Sequence, residues 1–186
     1  MSFESRFEER LQAAARAAES GTPSDNDGSS RIDPVTSTKG QRPAPEGLMI
    51  YLDERSEAAL SDSSWQEEFG THLEEVLRLA PELDGKPCGT LYGHFTVIKD
   101  PDDGTTITDR YVHLGNVEVW PTRRQGIGSA LLTEMERLAE RFGASRIEGI
   151  ISPDDLKETP TLPAFYKNRG YQLTPKDAGF TMVKPL

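Results

Sequence analysis

Val117-Glu118-Val119-Trp120-Pro121-Thr122-Arg123-Arg124-Gln125-Gly126-Ile127-Gly128-Ser129 is the stretch whose reading decides the fold. Val117, Val119 and Trp120 read as the end of an apolar strand, Pro121 stops it, and Gly126 and Gly128 open a turn into a helix that begins near Ser129. Glycines leave the backbone N–H groups of such a turn uncovered, and the first N–H groups of any helix lack a partner within it. A positive helix end, bare amides and the arginines at 123 and 124 together favour phosphate oxygens. Beyond the turn, Ala130, Leu131, Met135, Leu138, Ala139 and Phe142 recur at helical spacing on one face. Glu134, Glu136, Arg137, Glu140 and Arg141 fall largely on the other, and Gly143 ends the helix.

Two motifs in this half of the chain carry a resemblance. Arg123-x-x-Gly126-x-Gly128 resembles the Q/R-x-x-G-x-G/A signature of the GNAT N-acetyltransferase superfamily. Downstream, in the family's order and at a family-like separation, Ala164-Phe165-Tyr166-Lys167-Asn168-Arg169-Gly170-Tyr171 resembles its A-x-Y-x-x-x-G-F/Y segment. The resemblance implies an α/β, GNAT-like acyltransferase fold: a mixed, mostly antiparallel sheet with splayed central strands flanked by helices. It also implies acetyl-CoA as co-substrate, its pyrophosphate cradled by Arg123, Arg124, Gln125, Gly126, Ile127, Gly128 and Ser129. The strand edge at Val117 and Val119 would pair with the pantetheine amides, Val119 being the match for the N–H that faces the thioester carbonyl. Tyr166, four residues before Gly170, takes the family's general-acid position toward the departing thiolate. The sequence departs from the pattern at Pro121, one residue closer to Arg123 than is common, and at Thr159, where an asparagine is often found.

The acceptor implied is a primary amine on a small molecule or a protein. An alkylammonium with a pKa near ~10.4 has no lone pair at neutral pH, so its proton needs an acceptor. Glu118 is the favoured candidate, with Glu148 and His113 as rivals; strand alternation decides which of them faces the cleft. A different class of reading is a non-catalytic acyl-CoA-binding regulatory or adaptor module. A P-loop or dinucleotide enzyme is excluded, because the Lys-Ser/Thr after the glycine and the third glycine are missing.

Composition narrows the classes further. The 186 residues carry 31 acidic against 21 basic side chains, a formal charge of −10, which argues against general nucleic-acid binding. Cys88 is the only cysteine, so the chain has no internal disulfide framework and no cysteine-zinc cluster, and no metal is expected. No apolar run approaches the ~20 residues that span a bilayer, and the chain reads as cytoplasmic.

In chain order, Phe3, Phe7, Leu11, Ala14, Ala15 and Ala18 predict an amphipathic helix within residues 1–20, a candidate surface for a protein partner or self-association. Residues 21–46 lose nearly all large apolar side chains and read as a flexible linker, and residues 47–186 as the catalytic domain. Within it, residues 48–52 predict a strand. Trp65, Phe69, Leu73, Val76, Leu77 and Ala80 predict a helix ending before Pro81, with His72 inside it. Residues 90–99 read as a strand, and residues 105–107 open its hairpin partner beyond the Asp100-Pro101-Asp102-Asp103-Gly104 turn; after this hairpin, residues 110–120 read as the strand leading into the anion-binding turn, with Gly115 marking a bulge or a close approach. Residues 146–151 read as the fifth strand of the family fold, followed by a loop from Ser152, a short helix near 164–168 and a final hairpin.

Overall fold

Alternating side chains dominate residues 72–119, and in the computed structural model, which describes residues 30–32, 43–120 and 126–186, they form the long strands of one sheet. The strands are β1 (Ser30–Ile32), β2 (Leu48–Leu52), β3 (His72–Leu83), β4 (Lys86–Pro87), β5 (Gly89–Lys99), β6 (Ile107–Val119), β7 (Arg146–Ile151), β8 (Gln172–Lys176) and β9 (Gly179–Pro185). Their order is β1-β2-β3-β5-β6-β7-β9-β8, with β4 paired to β3. Only β6 and β7 run parallel; the other pairings are antiparallel. The helices are α1 (Glu54–Ala59), α2 (Asp62–Gln66), α3 (Ile127–Phe142), α4 (Pro153–Glu158) and α5 (Leu162–Lys167). The expected α/β architecture, a mixed and mostly antiparallel sheet, is the one found.

The helix expected through residues 65–80 is a strand instead. Only the short α2 forms there, and β3 pairs along most of its length with β5. The four-residue spacing of Leu73 and Leu77 is an even spacing, so it satisfies a two-residue period as well as a helical one, and Leu79 extends only the former. Phe69, which the helical reading placed on the buried face, is 100% exposed in the loop between α2 and β3. His72 opens β3, exposed and hydrogen-bonded to Glu74 at 3.1 Å.

A second correction concerns the linker. Ser30–Ile32 pairs antiparallel with Ile50–Leu52, and Ala44 packs against the core, so the sheet begins inside the stretch expected to be free. The helix expected within residues 1–20 lies outside the described residues. So does 33–42. The loop expected from Ser152 is the helix α4, its first turn closed by Ser152 and Asp155 each accepting from the other's backbone N–H.

The core lies between the sheet and α3. Leu131, Leu132, Met135, Leu138 and Ala139 are fully buried, and Phe142 packs on Phe95 and Trp65 with ring centroids 4.7 and 5.6 Å away. That contact puts α2 on the same face of the sheet as α3, and the Arg141–Glu57 ion pair at 2.7 Å puts α1 there too. Glu134, expected on the polar face, is 2% exposed, its charge met by Arg137 at 2.5 Å. No helix among the described residues is long and apolar enough to cross a membrane.

Candidate active site

The site is a gap in the sheet, and the register defines it. β7 follows β6 only from Tyr111↔Arg146 to Leu114↔Gly149; past Leu114, β6 stays on β5 while β7 pairs on with β9 as far as Ile151↔Phe180. The outer edge of β6 from 116 to 119 is therefore outside the β6–β7 ladder. The Trp120 N–H donates to the Cys88 carbonyl across β5 at 3.0 Å. Since successive residues of a strand turn their backbone polar groups to opposite edges, Val119 and Val117 turn theirs toward the gap. These are the two positions named from the sequence.

A single residue decides which side chains face which way. Val112 and Leu114 point to the helix-bearing face, and plain alternation would send Asn116 and Glu118 after them. The β5–β6 register shifts between Tyr92 and Gly93, pairing Tyr92 with Asn116 and Gly93 with Leu114, so Gly115 is the extra residue of a bulge. The pattern flips there. Val117 and Val119 join Leu91 and Gly89 on the helix face, while Asn116, Glu118 and Trp120 point to the other. A side chain at Gly115 would press on the Tyr92 ring at 3.1 Å and on its carbonyl at 3.2 Å, which is why the bulge carries none.

Glu118 is exposed on that second face and accepts a hydrogen bond from the Asn116 amide at 2.8 Å. Its two rivals sit lower on the same face. His113 and Glu148 are register partners on β6 and β7, but Glu148 accepts from Arg146 at 3.1 Å, and Arg146 also holds Asp109 at 2.6 Å. The Arg146 guanidinium keeps the Asp109 carboxyl below the usual carboxylate range and lies 4.3 Å over the Tyr111 ring. Glu148 is thus part of an ion-pair cluster, whereas Glu118 is held by a neutral amide.

On the helix face, the turn into α3 begins at Gly126, whose φ of 88° lies in the left-handed region that glycine tolerates. Among the described residues no side chain caps the helix, and no acid stands in its first turn. Among the described residues a Cβ built on Gly128 meets only Val119 Cγ2, at 3.7 Å, and none of them crowds the bare amides of Ile127, Gly128 and Ser129. Space, dipole and uncapped N–H groups suit an anion such as a diphosphate. Arg123, Arg124 and Gln125 lie outside the described residues.

Tyr166 stands on α5, 7% exposed, with the Phe165 and Tyr171 rings edge-on at 5.3 Å each. Burial, then the nearby Asp155 carboxylate, pushes its phenol up to about 12. The sequence pattern did not reveal what holds it. Arg169, 7% exposed, donates to Thr133 Oγ1 at 2.9 Å and to Glu136 at 3.1 Å, while Lys184 reaches the same carboxylate at 2.9 Å. These bonds lock the end of α5 to α3 and β9, and the Arg169 N–H donates to the Tyr166 carbonyl. Tyr166 therefore belongs to the α3 side of the sheet and Glu118 to the other. Among the described residues no group of His, Cys, Asp and Glu has the arrangement of a metal site.

Solved structures similar to this chain include an acetyltransferase from Streptococcus agalactiae 2603, 14% identical, with a TM-score of 0.45 over 76% of this chain and 99% of that one. A GNAT family acetyltransferase from Elizabethkingia anophelis with acetyl-CoA bound is 10% identical, with a TM-score of 0.47 over 76% and 100%. A GNAT family acetyltransferase from Streptococcus pneumoniae is 14% identical, with a TM-score of 0.48 over 75% and 99%. A search of curated proteins finds no match. The model of the acetyltransferase (GNAT) family matches residues 45–171, well over half of the sequence, and the chain belongs to that family.

Proposed function

We propose that this protein moves the acetyl group of acetyl-CoA, the co-substrate of its family, to a primary amine by direct attack in a ternary complex. The observation that carries the reading is the gap itself: beyond Leu114 the β6 edge leaves β7, and the Gly115 bulge turns Glu118 to one face while the Val117 and Val119 amides look into the opening. Acetyl-CoA supplies an activated acyl carbon and a thiolate that leaves readily.

The chain's own residues divide the work by face. The amides of Gly126, Ile127, Gly128 and Ser129, with Arg123, Arg124 and Gln125 from the signature, bind the diphosphate. The Val117 and Val119 backbone orients the arm, and the Val119 N–H is placed to stabilise charge developing on the acyl oxygen. Glu118, across the sheet, takes the ammonium proton. Tyr166 donates a hydrogen bond toward the departing sulfur. A phenol at ordinary pKa is already a weaker acid than a thiol near ~8.5, and burial widens the difference. Its contribution is thus stabilisation of the thiolate with the proton shared, in place of complete transfer. A single cysteine supports a cytoplasmic location.

Direct attack is favoured over an acyl-enzyme because the one thiol of the chain is unsuited to nucleophilic work. Cys88 is 4% exposed, donates to the Pro81 carbonyl at 3.4 Å, and is pushed up to about 11 by burial and then by Glu82. The folded protein is therefore expected to leave a thiol reagent such as Ellman's unreacted at pH 8, and the denatured chain to titrate its single cysteine. Rapid labelling of the folded protein would remove this argument. The same inertness gives a clean test: purified protein with acetyl-CoA should release coenzyme A thiol only when a primary amine is added. Tight acetyl-CoA binding with no amine-dependent release across an amine panel would mean a binding module.

A further inference from the structure

Two of the few large apolar side chains left exposed flank the proposed acceptor side of the gap. Trp120 is 36% exposed at the end of β6, and Ile150 is 57% exposed on β7 just past the last β6–β7 pair, Leu114↔Gly149. Both face away from α3: Trp120 by alternation with Glu118, and Ile150 by alternation with buried Ile147 and Ile151. The remaining tryptophan, Trp65, is 1% exposed, which is how the core treats a large ring. Burying Trp120 the same way needs only the opposite register, and the Gly115 bulge sets it outward together with Glu118.

Glu118 and Trp120 are two residues apart on one strand face, about 6.5 Å along the strand. A carboxylate and an indole at that spacing match an ammonium joined by two or three atoms to an apolar body. A second ammonium over the indole, as in a polyamine, gains less at an exposed site than covering the ring with an aromatic or branched apolar body does. Resting on the acetyl-transfer reading above, we propose that the acceptor is a primary amine borne on an aromatic or branched aliphatic body, with Trp120 as its specificity residue.

The test uses the full chain with saturating acetyl-CoA and reads thiol release for phenethylamine, isopentylamine, methylamine, spermidine and kanamycin. The first two should exceed the others at least tenfold in kcat/KM. Trp120→Ala should raise KM for phenethylamine about tenfold with kcat within twofold, and Trp120→Phe should recover most of the loss. Phenethylamine should also change the tryptophan fluorescence of the wild type and not of Trp120→Phe, since Trp65 is buried; that readout is independent of turnover. Preference for spermidine, kanamycin or methylamine, or a Trp120→Ala variant with unchanged KM for phenethylamine, overturns this assignment and leaves acetyl transfer standing. No release with any amine, while acetyl-CoA still raises the melting temperature, overturns the transfer reading and this inference with it.

Discussion

Gly128→Asp is expected to leave the protein folded and to abolish its thermal response to acetyl-CoA. The two effects have opposite electrostatic signs, and that makes the variant informative. In the free protein the new Cβ meets, among the described residues, only Val119 Cγ2 at 3.7 Å, within ordinary contact. An acid in the first turn of a helix adds about 0.3–1 kcal/mol through the helix dipole, and replacing glycine within a helix is also favourable. The variant alone should melt at or slightly above the wild-type temperature. With acetyl-CoA at a hundred times its Kd, the wild type gains ~2.7 kcal/mol, which for a chain of this size is roughly 5–10 °C. A carboxylate over the amides of 127–129 excludes a diphosphate from the same place, so the shift should vanish. Gly126→Ala is the control. It carries no charge but forces a φ of 88° on an L-residue, so it should cost about 1–2 kcal/mol of stability and keep the ligand-induced shift. An undiminished shift in Gly128→Asp would remove the anion site from the turn.

Tyr166→Phe is expected to lower kcat about 10- to 100-fold while leaving acetyl-CoA affinity within a few-fold. The ring contacts with Phe165 and Tyr171 at 5.3 Å survive the change, and the Arg169 bonds that hold α5 do not involve the hydroxyl. The loss belongs at the lower end of general-acid effects because a thiolate leaves well and water substitutes as donor. The phenol's raised pKa of about 12 means that it keeps its proton throughout pH 6–9, so the ratio of wild-type to variant kcat should be flat over that range. Stability gives the matching sign. Below pH ~10 the phenol is protonated in both folded and unfolded chains. Between there and about 12 the unfolded chain loses the proton first, so the wild type loses stability as pH rises through that window and the Phe variant loses less. An unaltered kcat would rule out Tyr166 as the donor, and a joint loss of binding and rate would make its hydroxyl structural.

The parts of the fold legible in the sequence are those where a local signal had a single reading. Gly126 and Gly128 before an amphipathic run, the Asp100–Gly104 turn between alternating segments, and Gly143 after Phe142 each became what they predict. β3 was missed because a four-residue spacing fits both periods, and Leu79, the one residue that favours the shorter period, was outweighed by Trp65 and Phe69 at helical spacing; pairing with β2 and β5 decides for the strand. β1 left no trace because Ser-Arg-Ile is too short to show a period, and its partner strand supplies the reason it exists. At the site, the family pattern pointed to Val117 and Val119, whose backbone groups the register turns toward the gap. The direction of Glu118 did not, because it depends on one inserted residue whose register effect only the pairing with β5 reveals. The Arg169–Glu136–Lys184 cluster was hidden for a related reason: its members come from three elements far apart in sequence, and each alone reads as an ordinary surface charge.

Direct passage of the acetyl group from coenzyme A to an amine across the gap between β6 and β7 has a distinct isotopic signature. Mass spectrometry of a single mixture tests it: full-length protein is incubated with acetyl-CoA carrying an isotopically labelled acetyl group, before and after addition of a primary amine. Direct transfer leaves the protein unmodified before addition, and afterwards yields labelled N-acetyl product in equal amount to free coenzyme A. Label retained on the protein before the amine is added, or coenzyme A released without any labelled amide, would contradict it.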